Sequence, residues 1–335
     1  MARTHVVIID GTLSRLGSGE ETNAGLLYKL LSEMLPRTDL LVHYHPGIRG
    51  EGLQKWFNIA AGIGINQAIC SGYTALSRKY TPGDKILLFG FSRGAYAVRS
   101  LSGMIGRIGL LKSEHVTNQR VQRAFRHYER NNNGPRAASF TRAYCHSDVK
   151  IELVGVWDTV KALGLPFPVL TRFAPAATEF HDHRLGPTIA NAYQALALDE
   201  TRHAFRPILW DCLPDWHVRV EQLWFPGTHS DIGGNLEGFA AARPLSNIPF
   251  VWMLENATTC GLPLPEGWQS RFPTDPAAEM VGAYAGMSKF FLNRAPRRAC
   301  DTPFDKLHPS VAARQMALED YQPKAIICEP KSLNG

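Results

Sequence analysis

The sequence predicts an α/β fold, a mainly parallel sheet flanked by helices, on three observations. Short segments rich in Val, Ile and Leu alternate with helical patterns through the first half of the chain, the order that a parallel sheet covered on both faces produces. One such segment, Lys85–Phe89, opens through Gly90-Phe91-Ser92-Arg93-Gly94 onto an amphipathic helical pattern. Hydrophobic residues at 44% and charged residues at 20% of 335 give an ordinary globular composition with ample core material. The expected organisation is one domain spanning 1–335.

In chain order, the first strand is expected at His5–Ile9, then a helix at 22–35, a strand at Asp39–His43 and a helix at 63–80. Thr81-Pro82-Gly83-Asp84 is a turn signal that sets off the strand Lys85–Phe89. After the serine, Ala97, Leu101, Met104, Ile105 and Ile108 recur at helical spacing with Arg99 and Arg107 off that face, so 93–109 reads as a core helix. A charged helix at 116–130 stops at Asn131-Asn132-Asn133-Gly134-Pro135. The next strand is Lys150–Val156, which would carry the acid of the site. The proline-rich stretch Leu163–Thr188 has no period and reads as an insertion or lid, apolar enough at Leu165, Phe167, Leu170 and Phe173 to line an acyl pocket. An apolar stripe of Ala190, Tyr193, Leu196 and Ala197 predicts a helix at 187–204, Val218–Trp224 is a further strand, and 261–335 is expected to be irregular.

Strand, G-x-S-x-G turn and helix in that order make a nucleophile elbow of the α/β-hydrolase fold. Glycines on both sides of Ser92 let the helix cross close to the strand and leave the hydroxyl exposed at the helix N-terminus. The bland alternative is a buried core serine. A serine nucleophile needs a base and an orienting acid at the carboxyl ends of later strands. Trp157-Asp158-Thr159 puts a carboxylate at one such end, and Gly227-Thr228-His229 puts an imidazole in a glycine-flanked loop at another. The chain order Ser92, Asp158, His229 is the hydrolase order. Asp158 could instead cap the following turn; Asp231 is the rival acid and His308, in His308-Pro309-Ser310, the rival base. The backbone N–H groups of Arg93 and Gly11 are the expected oxyanion donors, with Asp10 holding the Gly11 loop and Thr12 beside it as a supporting residue.

Other chemistries are disfavoured. Asp10-Gly11-Thr12 lacks the acidic residue two positions earlier that a phosphatase of the haloacid-dehalogenase type needs, since Ile8 stands there. Gly47–Gly52 contains no G-K-[ST], so no phosphate loop is implied, and His181-Asp182-His183 is read as a solvated loop. No metal and no cofactor are expected. The formal net charge is +6, but Lys and Arg form no run along the sequence. The charge is read as a mild attraction for anionic surfaces, so the expected contact is an anionic bilayer met peripherally, not nucleic acid. Six cysteines without close spacing read as free thiols. With four apolar residues near the N-terminus and no long apolar span, the expectation is a cytoplasmic chain without signal peptide, exported only by a non-classical route.

These blocks resemble the α/β-hydrolase domain that serves as the catalytic domain of class-one type VI secretion phospholipase effectors. The resemblance rests on Asp10-Gly11-Thr12, Tyr80–Asp84, Gly90–Ala95, Val98–Leu101, Gly155–Thr159, Ala195–Glu200, Trp224–Gly234 and His308–Val311. It implies a serine esterase of the lipase type with an ester or lipid substrate, with Ser92, Asp158 and His229 at the triad positions and a secretion-system partner. The chain departs from the family at Leu13 and Ser14, where Trp and Asn usually follow D-G-T.

Overall fold

A computed structural model describes residues 2–11, 14, 16–17, 19–47, 63–130, 134–160, 185–211, 218–283 and 291–329. Among them the strands are β1 (Thr4–Ile9), β2 (Leu40–His45), β3 (Lys85–Phe91), β4 (Leu110–Leu111), β5 (Cys145–His146), β6 (Ile151–Trp157), β7 (Ile189–Ala197), β8 (Arg219–Phe225), β9 (Arg298–Ala299), β10 (Asp305–Leu307) and β11 (Ile326–Ile327). The helices are α1 (Asn23–Ser32), α2 (Ile63–Lys79), α3 (Arg93–Ile108), α4 (Asn118–Glu129), α5 (Pro135–Tyr144), α6 (His229–Gly233), α7 (Arg243–Thr259) and α8 (Ser310–Ala317).

Seven strands form one sheet in the order β10-β8-β7-β6-β3-β1-β2, every pair parallel. Alternate residues of β1 face opposite ways, as the pleat requires. Val7 and Ile9 join α2, α3 and α4 in one core, while Val6 and Ile8 join α1 and α7 in another. The result is the helix–sheet–helix layering of the α/β-hydrolase class. Because the strands are parallel, the carboxyl ends of β1, β3, β6 and β8 lie along one edge of the sheet. The strand order reverses between β1 and β3, and crevices form at such a reversal.

The expected strands appear within two residues of their predicted limits, but 187–204 is not a helix. Ile189–Ala197 is β7, bonded to β6 on one side and β8 on the other, with Ala192–Ala197 all buried. A central strand covered on both faces carries no alternation, so its apolar positions can imitate a helical spacing. The tail is also more regular than expected: Asp305–Leu307 extends the main sheet beside β8, and α8 follows. Helices α5 and α7 were not foreseen. Most of the expected lid lies outside the described residues, which resume at 185.

The elbow is built by close approach. A Cβ on Gly94 would sit 2.0 Å from the Ile9 carbonyl oxygen and 2.5 Å from that of Asp10, and one on Gly90 would sit 2.5 Å from the Gly94 oxygen. These neighbours are backbone and cannot step aside. Gly94→Ala is therefore expected to cost about 3 kcal/mol or more of folding free energy by pushing α3 off β1. A denaturant midpoint that equals the wild type's would contradict this account of the motif.

Candidate active site

Ser92 follows the last residue of β3 and precedes α3, with φ 58° and ψ −120°. A non-glycine residue held there costs about 1–3 kcal/mol and persists only where its surroundings impose it. The Ser92 N–H donates to the Trp157 carbonyl at 3.0 Å, which ties the end of β3 to the end of β6. The hydroxyl makes no capping bond to α3. It faces His229 instead, with Oγ 2.8 Å from Nε2.

Asp158 immediately follows β6, also with positive φ (42°), and its N–H continues the ladder to the Ala195 carbonyl at 2.8 Å. Its carboxylate is fully buried and receives donors on both oxygens. Oδ1 accepts from Ala197 N–H (3.0 Å) and Arg297 Nη1 (2.6 Å), and Oδ2 lies 2.9 Å from Arg297 Nη2 and 2.5 Å from His229 Nδ1. Burial alone would raise the carboxyl pKa; the Arg297 guanidinium and His229 overturn that and hold it well below the usual range. With Nδ1 carrying the proton that Asp158 accepts, Nε2 is left as the acceptor toward Ser92.

His229 is the first residue of α6. Asp231 and Thr228 close a capping box on that short helix, and Asp231 Oδ1 accepts the Val281 N–H at 2.8 Å. The His229 N–H donates to Glu200 Oε2 at 3.2 Å, and the ring lies 4.9 Å from Phe91 and 4.8 Å from Phe205. Burial between these rings pushes the imidazole below its ordinary pKa, while the Asp158 contact acts in the opposite sense without cancelling it.

The rival residues have other occupations. Asp231 touches its own helix cap and the Val281 amide rather than the imidazole. His308 stacks on Phe225 at 4.3 Å, shares a 2.8 Å contact with Ser310 Oγ, and is pushed down to about 4 by burial. It makes no bond to Ser92.

The two expected oxyanion donors differ. Arg93 opens α3, where a first-turn amide has no intrahelical acceptor. The Gly11 N–H is turned onto Asp10 Oδ1 at 2.6 Å, so it does not face outward as expected. The physical reason is that Asp10 folds back on its own loop. Its buried carboxylate also accepts Thr22 Oγ1 at 2.8 Å and Tyr44 OH at 2.6 Å, and burial raises its pKa against those bonds. Thr12 lies outside the described residues.

Sequence reading missed the supports. Asp199 accepts the Gly227 N–H that leads into His229, and it also binds Tyr321 OH and the Lys324 N–H from the tail. Glu200 holds Arg202 bidentately, and Arg202 lies 4.0 Å over the Phe205 ring. Asp199 and Glu200 stood in the Ala195–Glu200 block without a role; Arg297 carried no local signal. Among the described residues no group of three or more His, Cys, Asp or Glu side chains is placed to hold a metal ion.

Among curated proteins, an uncharacterized protein of Saccharomyces cerevisiae is 27% identical over 235 residues, covering 62% of this chain and 33% of that protein. Among solved structures, an uncharacterized protein from Pseudomonas aeruginosa is 17% identical over 82% of this chain and 49% of its own, with a TM-score of 0.46. The Tle1 effector bound to the VgrG spike of the type VI secretion system is 19% identical over 70% of this chain and 51% of its own, with a TM-score of 0.37. The chain thus spans a third of that curated relative's length and about half of each of those two structures. The profile of the catalytic domain of the Tle1-like phospholipase effectors of the type VI secretion system matches residues 3–256, from β1 into α7 and through Ser92, Asp158 and His229. On that match, the chain belongs to the family of Tle1-like phospholipase effector catalytic domains.

Proposed function

We propose that the chain is a serine hydrolase of carboxylic esters, with lipid or phospholipid acyl esters as its substrate class. The observation that carries the proposal is the relay Ser92 Oγ, His229 Nε2, His229 Nδ1, Asp158 Oδ2, at 2.8 and 2.5 Å, on two residues of forced positive φ. His229 takes the Ser92 proton as Oγ attacks the ester carbonyl, and Asp158 stabilises the imidazolium that forms. The Arg93 N–H faces the developing oxyanion at the helix N-terminus. Collapse of the tetrahedral intermediate expels the alcohol, which takes the proton from His229. Water, deprotonated by the same imidazole, then frees the acyl group from Ser92.

Membership of a phospholipase effector family supports lipid over a small soluble ester, and it supports delivery by a type VI apparatus as the partner and route. Peripheral contact with a bilayer has its own support. Arg123, Arg126 and Arg130 recur along one side of α4 and its end, all exposed, and Arg123 lies over Phe140 of α5, which adds the exposed Arg136 and Arg142. The Arg123–Phe140 contact sets the basic side of α4 against the helix that carries Arg136 and Arg142.

The deciding experiment is hydrolysis of p-nitrophenyl esters of increasing acyl length and of phospholipid vesicles with a third of anionic lipid, at low and high salt. The expected result is a rate that rises with chain length and is highest on vesicles, with vesicle binding that weakens as salt screens the arginines. Preference for short soluble esters or amides would make the chain a carboxylesterase or amidase. No turnover with intact folding would make it a binding module built on a hydrolase fold.

A further inference from the structure

The side chain that most constrains the Asp158 carboxylate comes from outside the region matched to the family. Arg297 stands just before β9 in the C-terminal part of the chain. This segment is also tied to the loop after β7 through its backbone, where His203 N–H meets the Asn293 carbonyl at 3.0 Å and Ala295 N–H meets that of Thr201 at 2.7 Å. The guanidinium is buried with Asp158 and spans both carboxylate oxygens, at 2.6 and 2.9 Å. The second N–H of each terminal nitrogen reaches a backbone carbonyl, Nη1 that of Ala197 at 2.9 Å and Nη2 that of Phe205. Phe205 in turn packs on the imidazole.

We infer that Arg297 is a positioning residue of the active site, whose planar fork sets the plane of the Asp158 carboxylate on which His229 is aligned. The working catalytic unit therefore extends into the segment around residue 297, beyond residues 3–256. This rests on the serine-hydrolase reading of the site. The fork is specific to arginine. A two-point contact fixes both the position and the rotation of a carboxylate, whereas an ammonium supplies only a point charge. The carboxylate's rotation matters because His229 Nδ1 meets Oδ2, one of the two oxygens that the fork orients.

The arginine also acts electrostatically on the proton of the His229–Asp158 pair. Around the imidazole stand Asp158 and Arg297, Glu200 and Arg202 from the loop after β7, Ser92 from the elbow, and Asp231 on its own helix. Arg297 attracts the carboxylate and so disfavours an added proton on the pair. Without it, a buried Asp158 would bind the imidazolium harder or take the proton itself. Both routes raise the pH at which the pair takes up its proton. The folded pair would then be protonated, and the base blocked, at a pH where the wild type is still active.

The test compares wild type, Arg297→Lys and Arg297→Met by imidazole NMR titration of His229 and by pH profiles of kcat/KM on a p-nitrophenyl ester. In Arg297→Met the acid limb and the His229 titration should both move to higher pH, with kcat down about 100-fold, the scale of a misplaced catalytic group. Arg297→Lys keeps the charge, so its acid limb should stay near wild type while kcat still falls. Unchanged titration and kcat within about twofold of wild type in both variants would overturn the inference. Failure of both variants to fold would overturn it as well, leaving Arg297 a structural cation. If wild type is inert on esters, the hydrolase reading fails on its own, and the NMR titration still decides whether Arg297 governs the pair.

Discussion

Ser92→Ala is expected to lower kcat on a carboxylic ester by about 10⁴- to 10⁶-fold, the range seen when a triad nucleophile is removed. The loss should appear in kcat more than in KM. Oγ forms a bond only as the acyl-enzyme develops, so its loss removes transition-state stabilisation rather than ground-state binding. Folding should be nearly unaffected, because the hydroxyl makes no capping bond to α3 and its contact is with His229. Losing one hydrogen bond of this kind changes stability by about 1 kcal/mol. The measurement pairs turnover with a denaturant midpoint. A residual rate above about one tenth of wild type, with a fluorophosphonate label still incorporated, would point to another nucleophile.

Asp158→Asn should have the next largest effect, and unlike the serine variant it should damage both rate and stability. The carboxylate is surrounded by donors: Ala197 N–H and Arg297 Nη1 on one oxygen, Arg297 Nη2 and His229 on the other. An asparagine must turn its NH2 group toward one of these pairs. Facing His229 it would donate to Nδ1, which moves the ring proton to Nε2 and removes the acceptor that Ser92 needs. The expected loss in kcat is about 10⁴-fold. In either orientation Arg297 remains buried without the carboxylate it is bonded to, and breaking a buried pair in this way costs about 3–5 kcal/mol. A stability equal to wild type's, measured by chemical denaturation, would mean that the pair is far better solvated than its burial implies.

The catalytic candidates were legible because each sits where a local pattern changes. Ser92 lies between an apolar run and a helical period, Asp158 directly after a run of buried strand residues, and His229 in a glycine turn after another. Parallel strands then guarantee that three such ends share one edge, although Ser92 and His229 are 137 residues apart. The misreading of Ile189–Ala197 has the opposite cause. Its identity as a strand comes from β6 and β8 on either side, and its own residues fit either period. Arg123 of α4 and Phe140 of α5 are likewise separate in the sequence, and only helix packing brings the guanidinium over the ring.

By itself, the sequence determined the layered α/β architecture, the elbow with its two obligatory glycines, and the order of the candidate residues Ser92, Asp158 and His229. Each follows from local periodicity or from a steric demand made by immediate neighbours. Only the tertiary structure decided that Asp10 holds the Gly11 amide, that Asp231 caps α6 rather than orients the imidazole, and that Arg297 grips the Asp158 carboxylate from 139 residues away. A hydrogen bond to a buried carboxylate depends on which donors the fold brings within about 3 Å. No spacing along the chain encodes that distance.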